Sequence, residues 1–335
     1  MHYIVFGAGA IGCYVGGRLA AQGHAVTLVG RCHTLGPIAA QGLRVTDLEG
    51  YDHTVPPTAL YLCATLAEAL ELAHKAGGDC TVLLCVKSGA TAAAAHDLAA
   101  QCPPGTTVIS LQNGVDNVAQ LQAAAPQLQV LAGMVPYNVV LRGTHVHRAT
   151  SGLLHLQHHP TTLHLAPVWG ASGLPLVLSH DMRAVQWGKL LLNLNNPVNA
   201  LCGMPLRQQL LDRDCRYVLA ALQTEALRAL SKAGIRPAQV ATVPAAWLPH
   251  VMRLPTWLFA RLAQRMLRMD AQARSSMWDD LEAGRVTEID ALCGAVVRLA
   301  AQQGVAAPLN ARMCELLSGP RQRLSGAALR QLLNL

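Results

Sequence analysis

Aromatic residues make up only 4% of the chain and charged residues only 13%. The first scarcity excludes a core of stacked rings. The interior must come mainly from Leu, Ala and Val, which suits a Val-rich parallel sheet under Ala/Leu-rich helices. The second, beside 52% hydrophobic residues, excludes a disordered chain. The ten cysteines include no CxxC pair. Several of them, such as Cys80 and Cys85, sit in apolar runs and read as small buried hydrophobes, which indicates a reducing compartment. Fourteen histidines occur without HExxH or another compact ligand signature, so the run from His145 to His164 reads as a polar hairpin and no metal is expected. The longest charge-free stretches, residues 117–141 and 160–179, are interrupted by Pro, Gly, Gln, Asn or His and do not read as membrane spans. A first strand starting near His2 leaves no room for a secretory signal. A soluble cytoplasmic protein is expected.

What is present begins with a mild basic excess, 26 Lys and Arg against 19 Asp and Glu. The basic residues are scattered and not interleaved with aromatics, so nucleic acid is not an expected partner. The balance suits an enzyme that binds a polyanionic cofactor and a carboxylate substrate.

The 335 residues suffice for two domains with proper cores. In the first half, short β-branched runs alternate with helical ones. Strands are expected at residues 3–6, 25–29, 42–46, 53–55, 61–64, 81–86, 107–111 and 129–140, and helices at 10–22, 66–75, 90–101 and 115–123. That rhythm predicts a parallel sheet covered on both faces. Residues 142–157 change character and read as a hairpin-like addition. From about His180 apolar residues recur at three- and four-residue intervals, as in 219–230, 257–269 and 289–301. The expected division is residues 1–178 and 179–335, with an all-α second domain. The apolar stretch 244–257, with two tryptophans, suits packing on a second copy as a homodimer.

Gly7-Ala8-Gly9-Ala10-Ile11-Gly12 follows the first strand and opens the first helix. In that context GxGxxG is the dinucleotide fingerprint. Gly7 allows the tight turn, Gly9 lets the backbone approach a pyrophosphate, and Gly12 lets helix and strand pack closely. The fold class is therefore α/β, an N-terminal Rossmann-type doubly wound sheet with a helical C-terminal domain. The end of the second strand reads Val29-Gly30-Arg31, with no acid until Asp47. An NAD enzyme normally places a carboxylate there. Arg31 suits a 2′-phosphate instead, so NADP(H) is the expected cofactor.

Lys87 ends one strand run and Asn113 the next, where an open sheet faces its ligand. Trp187-Gly188-Lys189 leads into Leu190-Leu191-Leu192-Asn193, and Lys189 and Asn193, four apart, share one helix face. A lysine in so apolar a helix is either a snorkelling surface residue or a desolvated acid. Ser276 and Glu288 are twelve apart, so they converge only if the helix breaks, for instance at Gly284. Ser276 otherwise serves as a helix cap.

GAGAIG, Arg31, CVKS, QNG, WGKLLLN, RSSMWDDLEAGRVTEID and the segment 304–308, in this order, resemble the ketopantoate reductase (2-dehydropantoate 2-reductase) family over nearly the whole chain. The resemblance implies NADPH-dependent reduction of a 2-oxo acid to its 2-hydroxy acid. It makes Lys189 the catalytic proton donor and Glu288 the acid that orients it and binds a substrate hydroxyl. Ser276 becomes a donor to the substrate carboxylate and Asn193 a polar residue of the pocket. Lys87 and Asn113 fall beside the nicotinamide ribose, with Asn113 also a substrate contact. Two departures concern the substrate side. Pro197 stands eight residues after Lys189, and Ala273 three before Ser276, where the family often has asparagine. A paralogue acting on another 2-oxo acid, and an NADP sensor without turnover, remain alternatives.

Overall fold

The computed structural model describes residues 1–335 apart from 78, 241, 242, 265, 266 and 268–271. The chain divides into two compact units, Met1–Met182 and Arg183–Leu335.

In chain order the first unit comprises β1 (His2–Phe6), α1 (Ala10–Ala20), β2 (Ala25–Val29), α2 (Cys32–Gln41), β3 (Leu43–Asp47), β4 (Asp52–Val55) and β5 (Tyr61–Cys63). It continues with α3 (Leu66–Lys75), β6 (Cys80–Leu84), α4 (Thr91–Gln101), β7 (Thr107–Ser110), α5 (Asn117–Ala124) and β8 (Gln129–Met134). Then come β9 (Val139–Arg142), β10 (His145–Arg148), β11 (Leu154–Gln157), α6 (Pro160–Ala171) and β12 (Leu176–Ser179). The main sheet runs β12-β11-β8-β7-β6-β1-β2-β5, parallel throughout except where β11 meets β8. Because side chains alternate along a strand, the apolar runs split into two cores. Tyr3, Val5, Leu83, Ile109 and Leu131 pack on one face with α1 and α6 residues such as Leu19 and Trp169. Ile4, Val82, Leu84, Val108 and Val130 pack on the other with Ala69, Ala95 and Leu121 of α3, α4 and α5.

A second, four-stranded sheet, β4-β3-β10-β9, puts Leu43, Val45 and Val146 in the first of these cores. The single strand expected over residues 129–140 is in fact two strands in different sheets. The chain leaves the main sheet at Met134, and Pro136, which has no N–H to give a ladder, falls between β8 and β9. The β9–β10 hairpin turns at Gly143 as the pattern suggested, while β11 returns to the main sheet. The helix α6 and strand β12 were not marked in the sequence, and neither was α2, which contains Gly36 and Pro37.

An ion pair fastens the second sheet to α1. Arg18, buried on α1, donates to Asp47 Oδ2 at 3.0 Å and to the Ser172 carbonyl at 2.9 Å. Desolvation opposes ionisation of Asp47, but N–H donors from Tyr51 and Glu49 and the guanidinium groups of Arg148 and Arg18 outweigh it and hold the carboxyl below its usual range.

The second unit is helical: α7 (Met182–Asn193), α8 (Asn195–Cys202), α9 (Leu206–Leu211), α10 (Arg213–Lys232), α11 (Leu248–Arg253), α12 (Thr256–Leu262) and α13 (Ser276–Glu282). A π-helical turn, Asp290–Gly294, leads into α14 (Ala295–Gln302), followed by α15 (Pro308–Ser318) and α16 (Gly326–Leu332). The break between α7 and α8 has a local cause. Pro197 offers no N–H to the Asn193 carbonyl four residues back, so the helix cannot run through. Arg216, fully buried on α10, gives its guanidinium to the carbonyls of Leu210, Met252 and Leu254 at 3.0, 3.1 and 2.9 Å and so pins α9, α11 and the start of α12. Much of the periodic run 257–269 beyond α12 lies outside the described residues. Among the described residues no helix is long and apolar enough to cross a membrane, and no group of His, Cys, Asp and Glu is placed to hold a metal.

Removing one partner of a buried ion pair strands the other. Asp47→Asn should therefore lower the unfolding free energy by about 3 kcal/mol in urea titration at pH 7, while Asp52→Asn, at the exposed Arg44 pair, leaves it unchanged. The Asp47 contribution is present above the unfolded carboxyl value and fades as pH falls through the lower folded one. The difference between wild type and Asp47→Asn should accordingly shrink only in strong acid.

Candidate active site

β1 ends at Phe6 and the chain turns at once. Gly7 has φ +115°, a conformation that side chains resist. A Cβ on Gly12 would stand 2.2 Å from the Gly7 carbonyl oxygen, so only glycine allows α1 to begin this close to the turn. A Cβ on Gly9 would meet nothing within 4 Å. That open space at the start of α1, where Ala10 and Ile11 begin the helix and the first-turn N–H groups lack intrahelical partners, fits a pyrophosphate. Ala8 lies against Gly30, since a Cβ there would come within 2.6 Å of Ala8 Cβ.

Arg31 occupies the N-cap position of α2 and is exposed. The nearest acid in sequence, Asp47, is committed to Arg18 and Arg148. The end of β2 thus offers a guanidinium where a ribose-binding carboxylate would stand.

Lys87 follows β6 as an exposed residue just before a short 3₁₀ turn, Ser88–Ala90. Asn113 follows β7 and is half-buried. Its carbonyl accepts hydrogen bonds from Ser88 Oγ and Asn117 Nδ2, both at 2.6 Å. β6 and β7 are adjacent and parallel, so both residues lie at the carboxyl edge of the sheet, where open α/β sheets bind ligands.

In the helical unit Lys189 lies on α7 between the buried Trp187 and Leu190 and is itself half-buried. Desolvation lowers its ammonium to about 8 against the opposing attraction of Glu288. The lysine is therefore desolvated rather than a snorkelling surface residue. Asn193 is one turn further along α7 and half-buried. α13 stops at Glu282, and Gly284 turns the chain with φ +64°. The expected break between Ser276 and Glu288 is thus at Gly284, and Glu288 beyond it lies close enough to attract the Lys189 ammonium.

The cap of α13 is Ser275, whose side chain accepts from Trp278 N at 3.2 Å. Ser276, exposed at the first helical position, is not the capping residue. The segment before it is held by Asn199, a buried residue whose part the sequence did not reveal. Asn199 Oδ1 accepts from Ser275 N at 3.0 Å, and its Nδ2 donates to the Met204 carbonyl at 2.8 Å and to Gln209 Oε1 at 3.3 Å. Gln209 Nε2 in turn donates to Asn195 Oδ1 at 2.7 Å. An asparagine two places beyond Pro197 was the only signal.

The glycine turn of one unit is shaped for a dinucleotide, and in the other a desolvated lysine is attracted by a carboxylate, which suits an oxidoreductase that acts on a CH–OH group with a nicotinamide cofactor. Residues 3–161 match the family described as "Ketopantoate reductase PanE/ApbA", and residues 181–321 match its C-terminal part. The chain belongs to the ketopantoate reductase family. It is 27% identical over 325 residues to the 2-dehydropantoate 2-reductase of Halobacterium salinarum, an alignment that spans 95% of this chain and 98% of the relative. Among solved structures, a PanE/ApbA family ketopantoate reductase from Ralstonia eutropha JMP134 superimposes with a TM-score of 0.78 at 27% identity, covering 100% of both chains. A D-mandelate dehydrogenase, solved with NADH and anilino(oxo)acetate, shares the fold with a TM-score of 0.74 at 20% identity, again over 100% of both chains.

The glycines separate two effects. Gly12→Ala should cost about 1–3 kcal/mol in chemical denaturation, because its Cβ has no room. Gly9→Ala should leave the denaturation midpoint in place yet weaken dinucleotide binding at least about tenfold, since the added methyl enters the space for the phosphates. Equal midpoints for both variants would contradict this account of the turn.

Proposed function

We propose that the protein reduces a 2-oxo acid to its 2-hydroxy acid with NADPH, and that its substrate is 2-dehydropantoate, giving pantoate for pantothenate synthesis in the cytoplasm. The observation that carries the reading is the placement of Lys189 on α7, between the buried Trp187 and Leu190 and near Glu288, where burial lowers its ammonium to about 8. In this reading residues 1–178 bind the cofactor and 179–335 carry the substrate chemistry. NADPH, bound through Gly7–Gly12, Arg31, Lys87, Asn113 and Glu288, would supply the hydride.

The chain's own residues do the rest. Protonated Lys189 donates a hydrogen bond to the ketone oxygen, stabilises the negative charge that grows there, and delivers the proton that completes the alcohol. Its lowered pKa makes that transfer easy near neutral pH. Glu288 keeps the ammonium oriented and accepts from a substrate hydroxyl. Ser276 donates to the substrate carboxylate, and Asn193 and Asn113 complete the polar contacts. All ten cysteines are free thiols, which suits the reducing cytoplasm. Trp247 and Trp257, 64% and 72% exposed, suit burial against a second copy in a homodimer.

A second reading concerns the substrate. Pro197 and Ala273 cannot hydrogen-bond a substrate hydroxyl through their side chains, and the mandelate dehydrogenase of like fold was solved with an aromatic oxo-acid derivative. A 2-oxo acid with an apolar substituent is the rival.

The protein should oxidise NADPH with ketopantoate, and Lys189→Ala should lose at least about a hundredfold in kcat. The rate should fall as pH rises through about 8, where the donor loses its proton. A flat profile from pH 7 to 10 would remove Lys189 as the acid. Across a panel of oxo acids ranked by kcat/KM, ketopantoate among the poorest would favour the rival. NADH should be the weaker cofactor, and Arg31→Ala should narrow the gap between the two.

A further inference from the structure

Strand pairing ends at Leu84 and Ser110, short of both Lys87 and Asn113. What holds the chain beyond those points is a circuit of buried side chains. Ser110 Oγ donates to Gln112 Oε1 at 3.0 Å. Gln112 Nε2 donates to the Val86 carbonyl at 3.1 Å and to Thr91 Oγ1 at 2.8 Å. The Thr91 hydroxyl has a single hydrogen, which goes to Asn117 Oδ1 at 2.8 Å. Asn117 Nδ2 then donates to the Asn113 carbonyl, the same oxygen that Ser88 Oγ reaches.

Every direction in this chain is forced. Gln112 must present its oxygen to Ser110 and its nitrogen to Thr91, and Thr91 must accept from one side and donate to the other. Each amide is fixed by a carbonyl, which can only accept: the Val86 carbonyl requires the Gln112 nitrogen and the Asn113 carbonyl requires the Asn117 nitrogen, and the hydroxyls between them then have one direction left. Ser110, Gln112, Thr91 and Asn117 are 2%, 6%, 0% and 5% exposed, so water cannot take the place of a lost partner. The circuit joins the loop after β6, the start of α4, the loop after β7 and the start of α5. It stands beside β1 and its glycine turn, because β6 pairs with β1 residue by residue.

We propose that Thr91 and Asn117, linked through Gln112, are positioning residues that hold Asn113 and Lys87 in the arrangement needed to bind the nicotinamide dinucleotide. This rests on the reading of Asn113 and Lys87 as cofactor contacts. Thr91 is the sensitive link, since its hydroxyl is both acceptor and donor. Thr91→Val keeps the shape and removes both bonds, whereas Thr91→Ser keeps both.

The test is NADPH affinity of the full-length protein, followed by nicotinamide fluorescence, which needs no turnover. Thr91→Val should raise the Kd about tenfold, and Thr91→Ser should return it to within about twofold of wild type. In an Asn113→Ala background, Thr91→Val should add a smaller loss than it causes in the wild type, because of the two groups it positions only Lys87 remains. An undiminished loss in that background, or unchanged affinity in Thr91→Val itself, overturns the proposal. If Thr91→Val does not fold, Asn117→Asp serves instead: it removes the donor to the Asn113 carbonyl and should give the same loss and the same dependence on Asn113. Wild-type protein that fails to bind NADPH sinks the cofactor reading itself. Wild type and Thr91→Val binding equally well sinks only the positioning role.

Discussion

An ammonium withdrawn from water without full compensation is the constraint around which the helical unit is arranged. Lys189 rises from a helix whose neighbouring positions are Trp187, Leu190 and Leu191, all buried. Glu288 returns part of the lost hydration energy, but desolvation prevails and the ammonium is held at about 8. This arrangement destabilises the fold while the lysine is charged. The native state binds its proton less tightly than the unfolded chain, so the penalty stands in full below about 8 and eases as pH climbs toward the ordinary lysine value. In the proposed reaction a lysine held in this way gives up its proton readily near neutral pH.

Two buried arginines are used to join segments. Arg216 has carbonyl oxygens around its guanidinium, and Arg18 has both Asp47 and a carbonyl. Each is satisfied in its hydrogen bonding and serves to join segments. Burial also lowers the Arg216 guanidinium, yet its three carbonyl partners put that cation to use in holding segments together.

Much of the first unit was legible because its signals are local. β-branched runs, turn glycines and the spacing of GAGAIG all act within a few residues, and a strand buried on both faces reads as a plain apolar run. The departures arise where distant segments decide. Nothing within residues 129–140 says that Val139 belongs to another sheet, since that depends on β10 and β3. α6 and β12 escaped notice because a charge-free stretch with internal prolines shows no helical stripe. In the helical unit the resemblance singles out Lys189 and Glu288, and the break at Gly284 could be read from the pattern. That Ser275 caps α13, leaving Ser276 at the exposed first helical position, could not be. Two adjacent serines look alike until the backbone direction selects one, and the part played by Asn199 emerges only once α8 and α13 lie side by side.

The small sheet is stitched from two stretches of chain far apart in sequence. β3 lies parallel to β10, with Val45 opposite Val146, so roughly a hundred intervening residues must be made before that pairing can close. Until then the side of α1 that receives β9 and β10 stays uncovered, and Arg18 cannot bring Asp47 and Arg148 into one cluster. Assembly of the nucleotide-binding helix is thereby tied to late-arriving chain, and closing so large a loop is slow. During synthesis on the ribosome the glycine turn emerges well before Arg148, so the helix it opens acquires its complete packing only after that later stretch has followed.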